Sequence, residues 1–311
     1  MKIAVFYYTQ TGQSLQVVQS ICQPLVDSGN TVVYKTIEPE EFFPFPWTCW
    51  SFFETFPESR LSIPVLKLKE IDFSDIGDAD LVIISGQSWF LSLSLPLHTF
   101  FQDEKVKAFL NGKNIVNILS CRNMWIMTQQ KMREYVYQAG GNYVGHIVLQ
   151  DHAPNLISVL AIIRWLFYDK KEASCLLPAA GVSDKDIKNA SRFGIIINET
   201  LKSGNWSDLQ NKLMIEKAVR YRPSIVFIEK MGYRMFGIWA NFVRKKGEYQ
   251  NKERALRIKL FCYYLFFALY VASPVGLFVF YLTYPMRIKS IKKSRKEMCY
   301  NLSWNNLKKM A

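Results

Sequence analysis

Histidine is scarce in this sequence, with three residues at 98, 146 and 152 in a chain of 311. No two stand at metal-ligand spacing, and no cysteine pair reads CxxC, so no metal site is expected. The six cysteines, at 22, 49, 121, 175, 262 and 299, show no paired spacing either, which argues for reduced thiols facing the cytosol and against a disulfide framework. The N-terminus lacks a basic stretch followed by a long apolar run, because MKIAVFYY passes directly into polar residues. A secretory signal is therefore not expected, nor glycans at the sequons Asn198, Asn205 and Asn301.

Charge is missing from two places. The chain carries a net +13, yet residues 242–259 and 286–311 together hold almost all of it, and residues 1–241 are nearly neutral. That balance argues against a nucleic-acid surface on the body. Residues 260–285, between the two basic flanks, have no charged residue. As a helix they would extend about 39 Å, enough for a hydrocarbon core of about 30 Å. A buried core helix, a single span and a hairpin that re-enters one leaflet all fit. Basic residues on both sides favour the hairpin, with both flanks at the anionic cytoplasmic face, and Ser273, Pro274 and Gly276 mark its expected turn.

The body alternates strand and helix. KIAVFYY, NTVVYKTIEP, ADLVIISGQ, KNIVNILSC and NYVGHIVLQ read as strands with helical patterns between them, which implies an α/β fold with a five-stranded, doubly wound parallel sheet. The interval from Glu41 to Arg60, rich in aromatics and proline, breaks the rhythm and reads as a packed loop or lid. LISVLAIIRWLFYDKK, after the fifth strand, reads as core or as a segment resting on a bilayer. The expected organisation is a body at 1–205, a basic helical linker at 206–259, a membrane segment at 260–285 and a basic tail at 286–311. Cutting away residues 255–311 is expected to leave a soluble body.

Ligands of an open parallel sheet bind beyond the carboxyl ends of its strands. Three loops should meet there. The first, TQTGQS, offers hydroxyls and backbone N–H groups at a helix start, a cradle for a phosphate. It has neither the lysine of a nucleotide P-loop nor GxGxxG spacing, so a monophosphate held without a counter-charge is expected. SGQSWF follows the third strand and SCRNMW the fourth, each with an aromatic, Trp89 and Trp125.

TQTGQS resembles the T-x-T-G-x-S/T phosphate loop of flavodoxins and flavodoxin-like oxidoreductases, over residues 1–205. The resemblance implies FMN, its phosphate held by Thr9, Gln10, Thr11, Gly12, Gln13 and Ser14, and its ring by Gly86, Gln87, Ser88 and Trp89 with Cys121, Arg122, Asn123 and Trp125. YYTQTGQ, GQSWF, SCRNMW and the basic, membrane-like tail also resemble the bacterial family of dialkylresorcinol condensing enzymes, which accompany ketosynthases in making resorcinol lipids. That resemblance implies aromatisation of a cyclohexanedione to a resorcinol, an amphiphilic substrate, contact with membrane lipids, a ketosynthase partner and a place at the cytoplasmic face of the bacterial inner membrane. Such a reaction removes a proton beside a carbonyl and a hydride from the adjoining carbon. His152, just past the fifth strand, is the expected base, and Arg122 is expected to polarise a carbonyl oxygen or neutralise the reduced flavin. A quinone reductase, an anchored electron-transfer flavodoxin and a scaffold that has lost its flavin are the alternatives.

Overall fold

The computed structural model describes residues 1–300; Asn301, Lys308 and Lys309, part of the expected basic tail, lie outside the described residues. Apolar runs become β1 (Lys2–Tyr7), β2 (Thr31–Thr36), β3 (Leu81–Trp89), β5 (Asn114–Cys121) and β6 (Asn142–Gln150). They pair in parallel in the order β2-β1-β3-β5-β6. The sheet has six strands, not five, because β4 (Ser92–Leu93) folds back antiparallel onto the end of β3. The turn between them is Phe90-Leu91, both at positive φ (49° and 62°). Two-residue hairpins of this kind normally use Asn or Gly, so two bulky residues here store backbone strain.

Helices α1 (Gln13–Asp27), α9 (Ser191–Ser203) and α10 (Leu209–Ile215) cover one face of the sheet, with α8 (Asp184–Asn189) against α1. On the other face lie α4 (Leu95–Gln102), α5 (Glu104–Leu110) and α6 (Ile126–Gln138). Asp103 separates α4 from α5 by capping the second, its carboxylate accepting from the N–H groups of Lys105 and Val106. The aromatic interval forms two short helices, α2 (Cys49–Glu54) and α3 (Phe56–Leu61), and the apolar segment after β6 forms α7 (Asn155–Tyr168).

The C-terminal third departs from expectation. Residues 206–259 do not run as a linker: Leu209, Leu213, Ala218 and Val219 are buried in the main core, and α11 (Pro223–Arg244) packs against α3. The apolar run does not turn at Ser273–Gly276. It continues helically from Lys252 to Leu282, as α12 (Ala255–Phe267), one π-helical stretch (Ala268–Ala272) and α13 (Ser273–Leu282). The wider π turn absorbs the missing N–H and the ring of Pro274. The antiparallel pair is instead α11 with α12–α13, reversing in the loop before Arg254. Phe236 meets Phe261 and Trp239 meets Tyr264 at one end, and Phe227 meets Phe280 at the other.

Both ends of the apolar helix therefore lie against the same body. Near its start, Phe261 stacks on Phe56 at 3.6 Å and 4°. Beyond its end, α14 (Tyr284–Cys299) returns to the main core, where Met298 and Cys299 are buried and Gln210 donates to the Cys299 carbonyl. Only 17% of the most apolar stretch is buried. Tyr263, Phe267, Phe278 and Leu282 all face outward.

Candidate functional site

Chain order reverses between β1 and β3, and the phosphate-type loop leaves β1 at that point. Gly12 caps α1 at φ 80°, a left-handed conformation open to glycine at little cost. Around it the residues divide. The hydroxyl of Thr9 is buried with no hydrogen-bond partner among the described residues, as a donor awaiting a ligand would be. Thr11 faces a cavity of about 840 Å³. Ser14 accepts from the Gln87 amide. Gln10 accepts from the Trp47 indole at 2.9 Å, which ties the loop to the aromatic interval. Gln13 exchanges two hydrogen bonds with the Val182 backbone, at 3.1 and 3.0 Å, so its side chain clamps the loop and is spent. The cavity wall also carries Arg164, Lys170 and Lys171, with Asp169 and Glu172. The expectation of an anion site without counter-charge is corrected: α7 and the residues after it bring cations to the loop.

A second cavity, about 470 Å³, opens on the other side of α7. Ser88, Arg122 and Asn123 line it, with Phe52, Phe90, Leu91, Met235 and Leu269 among many apolar side chains. Arg122 is its only charged lining residue among those described. Its guanidinium donates to the Asn155 carbonyl, the Asn155 side chain and the Ser158 hydroxyl, at 2.8–2.9 Å. Loss of water lowers its pKa to about 10, against the opposing pull of Asp151. Asp151 is itself buried, and its Oδ2 has no partner among the described residues. The tie from Asn123 to Asn155 completes this polar end.

Other expected residues sit elsewhere. Trp89 meets Tyr8, Phe43 and Trp47 edge to face. Trp125 donates its indole N–H to the Arg220 carbonyl, and neither tryptophan lines either of these two cavities. Gly86 is small for packing, since a Cβ there would come within 1.9 Å of Leu97. The Cys121 thiol is pushed up by burial, first of all, which disfavours the thiolate.

His152 is the clearest correction. It is half exposed, between Arg220 Nη1 at 2.7 Å and Asp186 at 3.4 Å, and lines neither cavity. The loop after β6 turns it outward while the neighbouring Asp151 turns in. His152→Ala is therefore expected to leave turnover within about twofold of wild type, well short of the loss that removing a general base brings. A hundredfold slower single-turnover reduction would restore it as the base.

No motif or spacing singles out Glu229, which α11 inserts beneath the SCRNMW turn. Fully buried, it accepts from the N–H groups of Trp125 and Met127 at the start of α6. Desolvation, only partly offset by these bonds, raises its pKa to about 8. Because this lies above the value in the unfolded chain, the stability it contributes is full below the ordinary carboxylate range and is lost as pH rises through about 8. Melting temperature should thus fall between pH 5 and 9, and Glu229→Gln should flatten the fall, although it gives up one of the two caps. Parallel wild-type and variant curves would refute this.

Against known proteins, no family model and no curated protein matches the chain. Solved structures do. A flavodoxin from the domain Archaea is 14% identical, over 65% of this chain and 99% of that one, with a TM-score of 0.39. A WrbA-like flavodoxin from Agrobacterium tumefaciens is 12% identical over 65% and 98%, at 0.38. A flavoprotein solved in complex with FMN, from Lactobacillus acidophilus, is 16% identical over 47% and 92%, at 0.37. The fold is flavodoxin-like. That statement rests on the sheet order β2-β1-β3-β5-β6 itself, the doubly wound order whose switch point lies between β1 and β3.

Proposed function

We propose that the protein is an FMN-dependent oxidoreductase working at a membrane surface, at the cytoplasmic face of the bacterial inner membrane, on an amphiphilic cyclic substrate. The observation that carries this is a largely apolar cavity at the strand ends, with Ser88, Asn123 and the one guanidinium of Arg122 at one end and Tyr264 and Ser273 among its walls, beside an anion-type loop at the switch point. Thr9, Thr11 and the N–H groups at the start of α1 fit the FMN phosphate, with Arg164 and Lys171 near. When bound, FMN would supply the two-electron acceptor.

The remaining roles belong to the chain. Arg122, fixed by three hydrogen bonds to α7, holds a substrate oxygen and stabilises negative charge there as the adjacent C–H loses its proton. Asp151, buried near Arg122 with Oδ2 unpartnered among the described residues, lines neither cavity as it stands, and takes that proton only if its side chain turns toward the substrate. The apolar walls exclude water. The substrate that best fits this polar end and the resemblance in the sequence is a dialkyl cyclohexanedione, oxidised to the resorcinol and supplied by a ketosynthase.

The membrane reading rests on the exposed face of α12–α13, flanked by the exposed Lys245, Lys246, Lys252, Lys289, Lys292 and Lys293. With both ends held against the body, the helix would lie in the plane of the interface, its basic flanks on one side of the membrane.

The deciding measurement is the visible spectrum of detergent-purified protein, with identification of the released flavin, followed by anaerobic mixing with a dialkyl cyclohexanedione. Reduction within one turnover is expected. Colourless protein from riboflavin-rich cells rejects the flavin. An unreactive dione, with rapid reoxidation of reduced enzyme by a quinone, makes it a quinone reductase.

A further inference from the structure

Beyond the reaction, the cavity beside Arg122 has a direction. Its inner end is polar, and its walls are apolar side chains of α2, α7, α11 and α12. At about 470 Å³ it lies within the range of about 300–1,000 Å³ usual for small-molecule sites. Three lining residues, Met231, Met235 and Phe266, are also 45%, 38% and 41% exposed. They stand at the mouth, and that mouth continues into the outward apolar face of α12–α13, where Tyr263 and Phe278 are 62% and 70% exposed. The rim is therefore as apolar as the wall.

The turn at Phe90-Leu91 supports a built site. Strain held at φ 49° and 62° aims both side chains into this cavity. Gly232 lets α11 pass close against Leu91, since a Cβ there would come within 3.1 Å of that side chain.

We propose that this cavity is a berth for an alkyl chain that enters sideways from the bilayer, between α11 and α12, while an anionic or enolisable head group pairs with Arg122. A chain passing from bilayer to cavity exchanges one apolar surrounding for another and meets no water, so lateral entry avoids the desolvation of the head-first route through the aqueous face. Selection then falls to the head, where a partly desolvated guanidinium already oriented by Asn155 and Ser158 discriminates for anionic oxygen. The head-group chemistry deepens the oxidoreductase reading, but the berth does not depend on FMN.

The test uses the full chain in nanodiscs of phosphatidylglycerol and phosphatidylcholine, with a 16-carbon carboxylic acid bearing a mid-chain diazirine. Irradiation should label inner residues such as Val159, Ile163 and Leu269. Gly232→Trp should abolish that label and leave labelling of Tyr263 and Phe278 unchanged. Arg122→Gln should weaken inner labelling by the acid about tenfold, as loss of one charge-assisted hydrogen bond does, and leave labelling by the corresponding methyl ester unchanged. Labelling confined to the outer face, in wild type as in both variants, overturns the berth; the wild-type arm decides even if Gly232→Trp fails to fold. The flavin spectrum of the same sample reports on the oxidoreductase reading separately, so yellow protein with no inner label rejects the berth alone.

Discussion

Arg254→Ala should lower folding stability by about 3–5 kcal/mol, the usual consequence of removing one partner from a buried ion pair. The side chain is fully buried and grips both oxygens of the equally buried Glu58, at 2.8 and 2.9 Å. It also donates to the Glu54 carbonyl at 3.1 Å and lies 3.3 Å from the Glu54 carboxylate. Without it, Glu54 and Glu58 would face each other inside the protein with only Arg244, at 2.8 Å from Glu58, as counter-charge. The Glu54 carboxyl is raised by burial even with Arg254 present. Urea unfolding, which leaves charges unscreened, should show the midpoint shift. Glu58→Leu with Arg254→Met should cost less than Arg254→Ala alone, because apolar replacement of a whole buried pair is often neutral. A loss below about 1 kcal/mol would show that the cluster is solvated and does not fasten α3 to the loop before α12.

Contacts of α12 and α14 with the body argue against the clean cut expected at residue 255. Removing residues 255–311 would strip Phe261 from Phe56, leave Phe236 and Ala240 uncovered, and take Met298 and Cys299 from the main core. The fragment is expected to aggregate instead of dissolving. Composition hid this because it counts charges without saying which are paired: Arg244 and Arg254 read as part of a basic flank, yet both serve as internal counter-ions.

What was legible was local. Each apolar run bounded by polar residues became the strand expected of it, and Gly12 marked the one backbone position before α1 that needs positive φ. What was hidden depends on contacts across more than a hundred residues. Gln13 looked like a phosphate ligand because nothing near it in sequence announces Val182. Ser273, Pro274 and Gly276 carry the same signal whether a chain reverses or a helix widens by one π turn, and packing against Ile228 selected the second. Asp151 and His152 are adjacent in the loop after β6, where no strand periodicity says which of them points inward. The second cavity left its trace in the aromatic interval, but α11 and α12 complete it from the far end of the chain.

The largest effect on ligand binding should come from the loop itself. Gly12→Val places a β-branched side chain at φ 80°, a conformation that costs an L-residue about 1–2 kcal/mol and more when branched. No neighbour stands within 4 Å of the new Cβ, so the strain is conformational and the loop relieves it by rotating the N–H groups at the start of α1 away from the anion. Combined with Thr11→Ala, which removes a hydroxyl from the cavity wall, the change should weaken FMN binding at least about a hundredfold, each of the two losses being worth about 1.4 kcal/mol or more. Calorimetric titration of the flavin-free protein with FMN reads this directly. A thermal shift separates a lost site from a lost fold: FMN at a hundred times its wild-type dissociation constant should stabilise wild type by about 2.7 kcal/mol and the double variant by no more than about 0.4 kcal/mol, while the two flavin-free proteins melt within a few degrees of each other. Riboflavin, which lacks the phosphate, should bind both proteins alike. Equal FMN affinity in wild type and variant would place the phosphate somewhere other than residues 9–14, with the cations of the α7 side, Arg164 and Lys171, as the next site to remove.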